Sequence, residues 1–403
     1  MPNYTAFYSY TNTSQYNGVE GMARLLMIPG PTPVDPEVLL AMARPVISHT
    51  SPDFDEIHGE TVSMLQKLFR TSGKVFLLPG SGSLGMEFAV RSVAGRGSRA
   101  LVLKAGYFGG YFERILRSLG ASVTVVESPV GRGFTGADVE EALDRAGDVD
   151  VVFVQHVETS TSVANPVREI AGVVKKNGAR LVVDGIASVG GMDLRLDEWG
   201  VDVALTGSQK ALSTPPGLAI VAFSSEYSVE LEKREPSGIY FDFLSLSREM
   251  ESTRNYHITP AVNLVFALNA SLKRILGEGL ENRFERHRVL ARAFTRAMEA
   301  LGLRLVAEEP FRAWTVTAVY LPQGIDWSRF YSVMRKRGVE VAGGLGGLKG
   351  KIFRVGHMGE VDANDLIATI AAIERSLVEL GYREARLGQG LEAAQKELSS
   401  LGL

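Results

Sequence analysis

The sequence has no cysteine among its 403 residues. That excludes disulfides, thiolate metal sites and cysteine nucleophiles together. It also has no surplus of charge of one sign: 43 Lys and Arg stand against 46 Asp and Glu, and no strongly basic stretch occurs. Without that electrostatic footprint, neither nucleic acid nor an anionic membrane surface is an expected partner. No apolar run approaches the ~20 residues needed to span a bilayer. The opening MPNYTAFYSYTNTSQYNG has neither the basic segment nor the apolar one of a secretory signal. These absences lead us to expect a cytoplasmic chain with residues 1–23 as a loosely ordered polar leader. Internal repeats and low-complexity tracts are lacking too.

What is present is globular. Hydrophobic residues at 45 % and charged ones at 22 % allow a large packed core. The length fits about two domains. From residue 75 to 224, apolar runs of strand length alternate with helical stretches: VFLLP (75–79), ALVLKAG (100–106), SVTVVES (122–128), DVVFVQHVE (150–158), ARLVVDG (179–185), VDVALTGS (201–208) and GLAIVAFS (217–224). Runs such as VVFV and LVVD are apolar on consecutive residues, so helices should cover both faces of a mainly parallel sheet. After residue 260 come two long amphipathic helices, short strands near 315–322, 339–344 and 351–359, and a helix over 362–381. The expected organisation is a large α/β domain over 24–280, with 24–45 packing on the smaller domain, a small α+β domain over 281–385, and a helical tail over 386–403.

Ligands of open α/β sheets bind at the carboxyl ends of the strands. Four polar clusters fall at such ends. In LLPGSGSLGMEF (77–88) a strand runs through Gly-Ser-Gly-Ser into a helix, which offers backbone N–H groups and a helix dipole to an anion. No lysine follows, so it is not a Walker loop; a plain strand–helix turn is the alternative. Asp184 closes the apolar LVVD, where a buried carboxylate needs a cation, a metal or a donor; a helix cap or ion pair would also serve. Glu158, Thr159 and Thr161 cluster after VVFV. Lys210 stands in TGSQKALSTPPG, 26 residues after Asp184, with no charged neighbour closer on its N-terminal side than Asp202. A solvated surface lysine is the bland reading. A desolvated lysine has a lowered pKa and becomes an amine nucleophile. An anion cradle, a buried acid, hydroxyl donors and an isolated lysine form the set that pyridoxal phosphate requires.

Several longer stretches, in order, carry a resemblance: MIPGPTPVDPEVL (27–39), LPGSGSLGMEFAVRS (78–92), GYFGGYFERI (106–115), HVETSTSVANP (156–166), LVVDGIASVGG (181–191), TGSQKALSTPPG (206–217) and GGLGGLKGKIFRVGHMG (343–359). Over roughly residues 24–382 the chain resembles the class V aminotransferases of the fold-type I pyridoxal-phosphate enzymes, in particular the alanine–glyoxylate and serine–pyruvate (serine–glyoxylate) group. The resemblance implies a seven-stranded, mainly parallel sheet in the large domain, pyridoxal 5′-phosphate as cofactor and a homodimer with shared sites. It implies ping-pong transfer of an amino group from alanine or serine to glyoxylate or pyruvate. No metal site is implied.

Residue by residue, Lys210 matches the Schiff-base lysine, which also shuttles the α-proton. Asp184 matches the partner of the pyridine nitrogen. Ser81, Gly82, Ser83 and Gln209 match phosphate contacts, and Ser208 stands free to line the same group. Phe108 matches the aromatic stacked on the ring, commonly tryptophan in relatives, with Tyr107 as the competitor. Thr159 matches the hydroxyl near the cofactor's O3′, with Ser188 secondary. Arg354 matches the arginine that takes the substrate carboxylate, while His357 reads as structural. Gly30, between Pro29 and Pro31, matches the loop that narrows the substrate pocket. Tyr256 and Thr259 match residues that reach the partner's phosphate across a dimer interface. Thr50 stands where relatives often carry arginine, so that arginine's role does not transfer. A lyase, an aminoethylphosphonate transaminase and a non-catalytic relative are the alternatives on the same fold. Desulfurases are closed off by the missing cysteine.

Overall fold

The computed structural model describes residues 24–236, 238–253 and 258–400. A two-residue strand β1 (Leu25–Leu26) precedes helices α1 (Pro36–Met42) and α2 (Pro52–Phe69). Strand and helix then alternate through β2 (Val75–Pro79), α3 (Gly82–Val93), β3 (Arg99–Lys104), α4 (Gly109–Ser118), β4 (Ser122–Glu127), α5 (Gly136–Ala146) and β5 (Val151–Gln155). A small hairpin, β6 (Val157–Glu158) with β7 (Val163–Ala164), leads to α6 (Val167–Lys176) and β8 (Arg180–Asp184). Next are α7 (Leu196–Trp199), β9 (Val203–Gly207), β10 (Leu218–Phe223), α8 (Ser225–Leu231) and α9 (Phe243–Thr253).

Seven of these strands form one sheet in the order β2-β10-β9-β8-β5-β3-β4. Only β10 runs antiparallel to its neighbours, so the sheet is mostly parallel, as expected. Every residue of β5, β9 and β10 is buried, which is what helices on both faces demand of such apolar runs. The edge strand β4 is partly exposed along its length. The chain leaves β3 for β4 on one side, while β5 lies on the other. The sheet therefore has a topological switch between the ends of β3 and β5, where loops part and leave a crevice.

Two long helices follow, α10 (Val262–Glu278) and α11 (Leu280–Ala300), then β11 (Val316–Tyr320), α12 (Trp327–Lys336), β12 (Val339–Glu340), β13 (Ala342–Gly343), β14 (Ile352–Gly356), α13 (Ala363–Glu379) and α14 (Gln389–Ser400). A three-stranded antiparallel sheet, β11-β14-β13, rests on a second core drawn from α11, α12, α13 and α14. The run VEVAGG, read as one strand, is two: β12 pairs with β1 and β13 with β14. The segment 24–45 divides between the two bodies. Leu25 and Leu26 pair in parallel with β12, and Met27 lies in the second core. The α1 end is held elsewhere, where Asn263 at the start of α10 donates to the Met42 and Arg44 carbonyls at 2.7 and 2.8 Å. Among the described residues no helix is long and apolar enough to cross a membrane, and no cluster of acids and histidines is arranged to hold a metal ion.

Candidate active site

The four polar clusters meet at the carboxyl edge of the large sheet. Residues 208–214 form a tight turn between β9 and β10. The Ser213 N–H donates to the Lys210 carbonyl at 2.9 Å, and the Thr214 N–H to the Ser208 carbonyl at 3.0 Å. The Ser208 hydroxyl, expected to be free for a phosphate, is fully buried and donates to the Pro215 carbonyl at 2.8 Å. It closes the turn and has no reach left. The N-terminal segment clamps the turn from outside: Thr32 donates through its amide to the Gln209 carbonyl (3.2 Å) and through its hydroxyl to the Lys210 carbonyl (2.7 Å). The Lys210 Nζ donates to the Pro29 carbonyl. Gly30 adopts φ +114°, and a Cβ there would sit 2.5 Å from Lys210 Cδ and 2.7 Å from Nζ. Glycine is required at 30 both by its backbone and by the lysine.

Charges converge here. Burial, aided by the Arg354 guanidinium and opposed by Asp184, lowers the Lys210 pKa to about 8. Asp184, at the end of β8, is buried and accepts from the Ile186 N–H at 2.9 Å. Burial raises its pKa to about 7, helped by Glu158 and resisted by the Ile186 amide and Lys210. Arg354, on β14, has its pKa lowered to about 10 by burial. Its Nε donates to the Gly343 carbonyl at 2.8 Å and its Nη1 to the Thr159 carbonyl at 3.1 Å. Lys210 thus lies in the fields of both an acid and a guanidinium, while Glu158 acts on Asp184 and Arg354 alike.

The phosphate-type cradle is at the start of α3. Ser81 is the N-cap, yet its side chain makes no capping bond; Ser81 and Ser83 are exposed and Gly82 is buried. The hydroxyls and the N–H groups of the first turn that lack an intrahelical acceptor are the kind of donors an anion takes. Gln209 lies alongside, its buried Oε1 without a partner among the described residues. Phe108 is half-buried at the N-terminus of α4, stacked on Tyr111 at 5.7 Å, whereas Tyr107 is exposed and touches the Gly346 region. Thr159 is buried. Ser188 is fully buried and its hydroxyl donates to the Gly185 carbonyl at 3.3 Å, inside the turn after Asp184. Thr259 is exposed before α10, and Tyr256 lies outside the described residues.

Two features of the site were not assigned from sequence. Gln155 ends β5 in register with Asp184, so both side chains leave the same face, and neither atom of its buried amide has a partner among the described residues. Arg283, on α11, is fully buried and bonds the Gly190 carbonyl (2.8 Å), the Ala211 carbonyl (2.8 Å) and Glu278 (2.7 Å). It ties the loop after Asp184 to the turn that carries Lys210. His287 accepts from the Gly359 N–H at 3.0 Å, which leaves its Nδ1 proton for the Arg283 carbonyl at 2.7 Å. Burial holds its pKa well below the usual value, so the ring stays neutral. His357 is buried too and pairs with Thr317 at 2.9 Å, a structural setting as expected.

The family described as aminotransferase class-V matches residues 37–354. The chain belongs to the class V aminotransferases. It is 36 % identical over 378 residues to the L-aspartate–glyoxylate aminotransferase of Paracoccus denitrificans, covering 92 % of this chain and 95 % of that protein. Two solved structures share the fold-type I architecture. One is the ureidoglycine–glyoxylate aminotransferase of Bacillus subtilis, with a TM-score of 0.88, 32 % identity and coverage of 94 % and 99 %. The other is the alanine–glyoxylate aminotransferase of Nostoc sp., with a TM-score of 0.84, 32 % identity and coverage of 90 % and 98 %. For a class V aminotransferase the residues gathered here are chemically apt. A buried acid lacking a full counter-charge, a helix N-terminus with idle hydroxyls and a depressed lysine fit a phosphorylated pyridine aldehyde.

Proposed function

We propose that this aminotransferase uses pyridoxal 5′-phosphate to move the amino group of alanine or serine to glyoxylate, or to pyruvate, in a ping-pong cycle. The observation that carries the reading is the burial of Lys210 and Asp184 within one another's field, with Arg354 as the third charge. Bound there, pyridoxal phosphate supplies an aldehyde for an amine and an electron sink for a developing carbanion. The chain's own groups do the rest. Lys210, with its pKa near 8, is the amine that meets the aldehyde, and once displaced by substrate it takes and returns the α-proton. Asp184 holds a proton and positive charge at the ring nitrogen, which compensates its own burial. The first turn of α3, with Ser81, Gly82 and Ser83, and Gln209 beside it hold the phosphate. Phe108 covers the ring face, since Tyr107 is engaged with the Gly346 region; Thr159 and, secondarily, Ser188 are the hydroxyls nearest the ring oxygen. Arg354 offers a planar fork to the substrate carboxylate.

Substrate size follows from the entrance. Gly30 and the Pro29 carbonyl lie directly against the lysine amine, a crowding that favours two- and three-carbon chains over longer ones. The named relatives support the acceptor, because all three act with glyoxylate, while their donors differ. Tyr256 and Thr259 are assigned to the phosphate of a second copy, which makes the working unit a homodimer.

The test is a donor-by-acceptor screen on purified protein loaded with pyridoxal phosphate, with alanine, serine and aspartate against glyoxylate and pyruvate. Alanine or serine paired with glyoxylate should give the highest kcat/KM, and initial rates should plot as parallel lines. Aspartate outpacing both small donors tenfold would overturn the assignment of donor. Activity restored on mixing Lys210→Ala with Tyr256→Ala protein would support sites shared between subunits.

A further inference from the structure

The loops after β3 and β5 flank the switch point of the sheet, and one side chain binds them together. Helix α4 begins without a cap of its own: Phe108 occupies the N-cap position and offers no side-chain acceptor. Three successive amides there need partners. They find them about fifty residues away. The Tyr107 N–H donates to Ser160 Oγ at 3.0 Å, and the Phe108 and Gly109 N–H groups donate to Glu158 Oε2 at 2.9 and 3.3 Å. The other carboxylate oxygen accepts from the Ser160 amide at 2.9 Å and its hydroxyl at 2.6 Å. Glu158 is entirely buried. Burial raises its pKa, but four donors and the N-terminus of α4 oppose that and favour the anion. The two loops touch so closely that a Cβ on Gly106 would lie 2.6 Å from both Glu158 Cγ and Ser160 Oγ.

The adjoining residue matters as much. The Thr159 carbonyl receives Arg354 Nη1, so the loop that Glu158 folds upon itself also orients the guanidinium. Phe108 hangs on one side of this joint and Arg354 on the other. We propose that Glu158 is a positioning residue: by capping α4 from the β5 loop, it holds the Phe108 ring and the Arg354 fork at a fixed spacing around the Lys210 amine. The inference rests on the roles given above to Phe108 and Arg354.

Glu158→Gln keeps the size but sets an NH₂ group against amide donors. Removing one such charge-assisted contact corresponds to about a tenfold change in an equilibrium constant. Pyridoxal phosphate binding, followed by quenching of intrinsic fluorescence well below the melting temperature, should weaken about tenfold in Glu158→Gln. KM for donor and acceptor should rise together. Ser160→Ala, a milder change that removes the acceptor of Tyr107 and one of the four donors to Glu158, should weaken cofactor binding about threefold. If Glu158→Gln melts earlier yet binds cofactor and both substrates within twofold of wild type, Glu158 is only a structural cap and the proposal fails. Should Glu158→Gln not fold, Ser160→Ala decides, and unchanged cofactor affinity overturns the proposal. A wild-type protein that takes up no cofactor overturns the functional reading and this inference with it; normal wild-type uptake with unaltered variants overturns the inference alone.

Discussion

The lowered pKa of Lys210 makes a quantitative demand on the cofactor-free protein. At pH 7.5 an amine of pKa about 8 is roughly one quarter free base, whereas one at 10.5 is about 0.1 % free base, a difference of about 200-fold in nucleophile concentration. Acetylation with trace acetic anhydride across a pH series, read by mass spectrometry of the Lys210 peptide, measures that midpoint directly. Lys176, which is well exposed, serves as the internal standard. Lys210 should titrate near pH 8. The causes of the shift also fix the signs of two variants. Arg354→Met removes a cation that lowers the pKa and should move the midpoint up. Asp184→Asn removes an anion that raises it and should move the midpoint down. A Lys210 midpoint at or above about 10 in the wild type would show a solvated amine and refute the argument. So would a downward shift in Arg354→Met.

Other perturbations follow from the same geometry. Asp184→Asn should lower kcat on the order of 10²–10³-fold in steady-state assays, because a preorganised charge is lost from the ring nitrogen. In the cofactor-free protein the folded state keeps the Asp184 proton up to about pH 7 while the unfolded chain loses it near pH 4. Thermal stability should therefore fall as pH rises across that window, and Asp184→Asn should flatten this limb in calorimetry. Gly30→Ala places a methyl against the lysine in a left-handed backbone, strain of about 1–3 kcal/mol, and should slow cofactor uptake in a stopped-flow absorbance trace. Arg283→Met strips two buried carbonyls of their donor while Glu278 keeps Arg286, and should cost about 2–4 kcal/mol in denaturant melts.

The central sheet was legible because β5, β8, β9 and β10 are apolar on consecutive residues, a pattern that only a doubly covered sheet produces. Two-residue strands were not: β12 and β13 share the six residues of VEVAGG, and what separates them is their partners, β1 at the far N-terminal end of the fold for β12 and the following strand β14 for β13. The lysine and aspartate stood out since a lone charge beside an apolar strand has few stable settings. Glu158 was visible as a cluster member but had no assignable role, because beside Ser160 its partners are two backbone amides some fifty residues upstream, and amides leave no trace in residue identity. Arg283 looked like one more charge on an arginine-rich helix. Its burial is imposed by the carbonyls of Gly190 and Ala211, which belong to loops that no helical periodicity describes. Ser208 misled for the converse reason: a hydroxyl next to a catalytic-looking lysine was already taken by Pro215 seven residues on.

The bond from Lys210 Nζ to the Pro29 carbonyl carries a message between the two bodies of the molecule. Two residues before Pro29, Met27 accepts from the Gly356 amide of β14 and donates to Glu340 of β12, so the strand that the lysine grips is woven into the smaller sheet. In the proposed reaction one nitrogen has to choose between that carbonyl and a covalent partner. Each time the amine is consumed or released, the tether on the N-terminal strand is let go or retaken, and hydrogen exchange at the Gly356 amide is where that toggling would register.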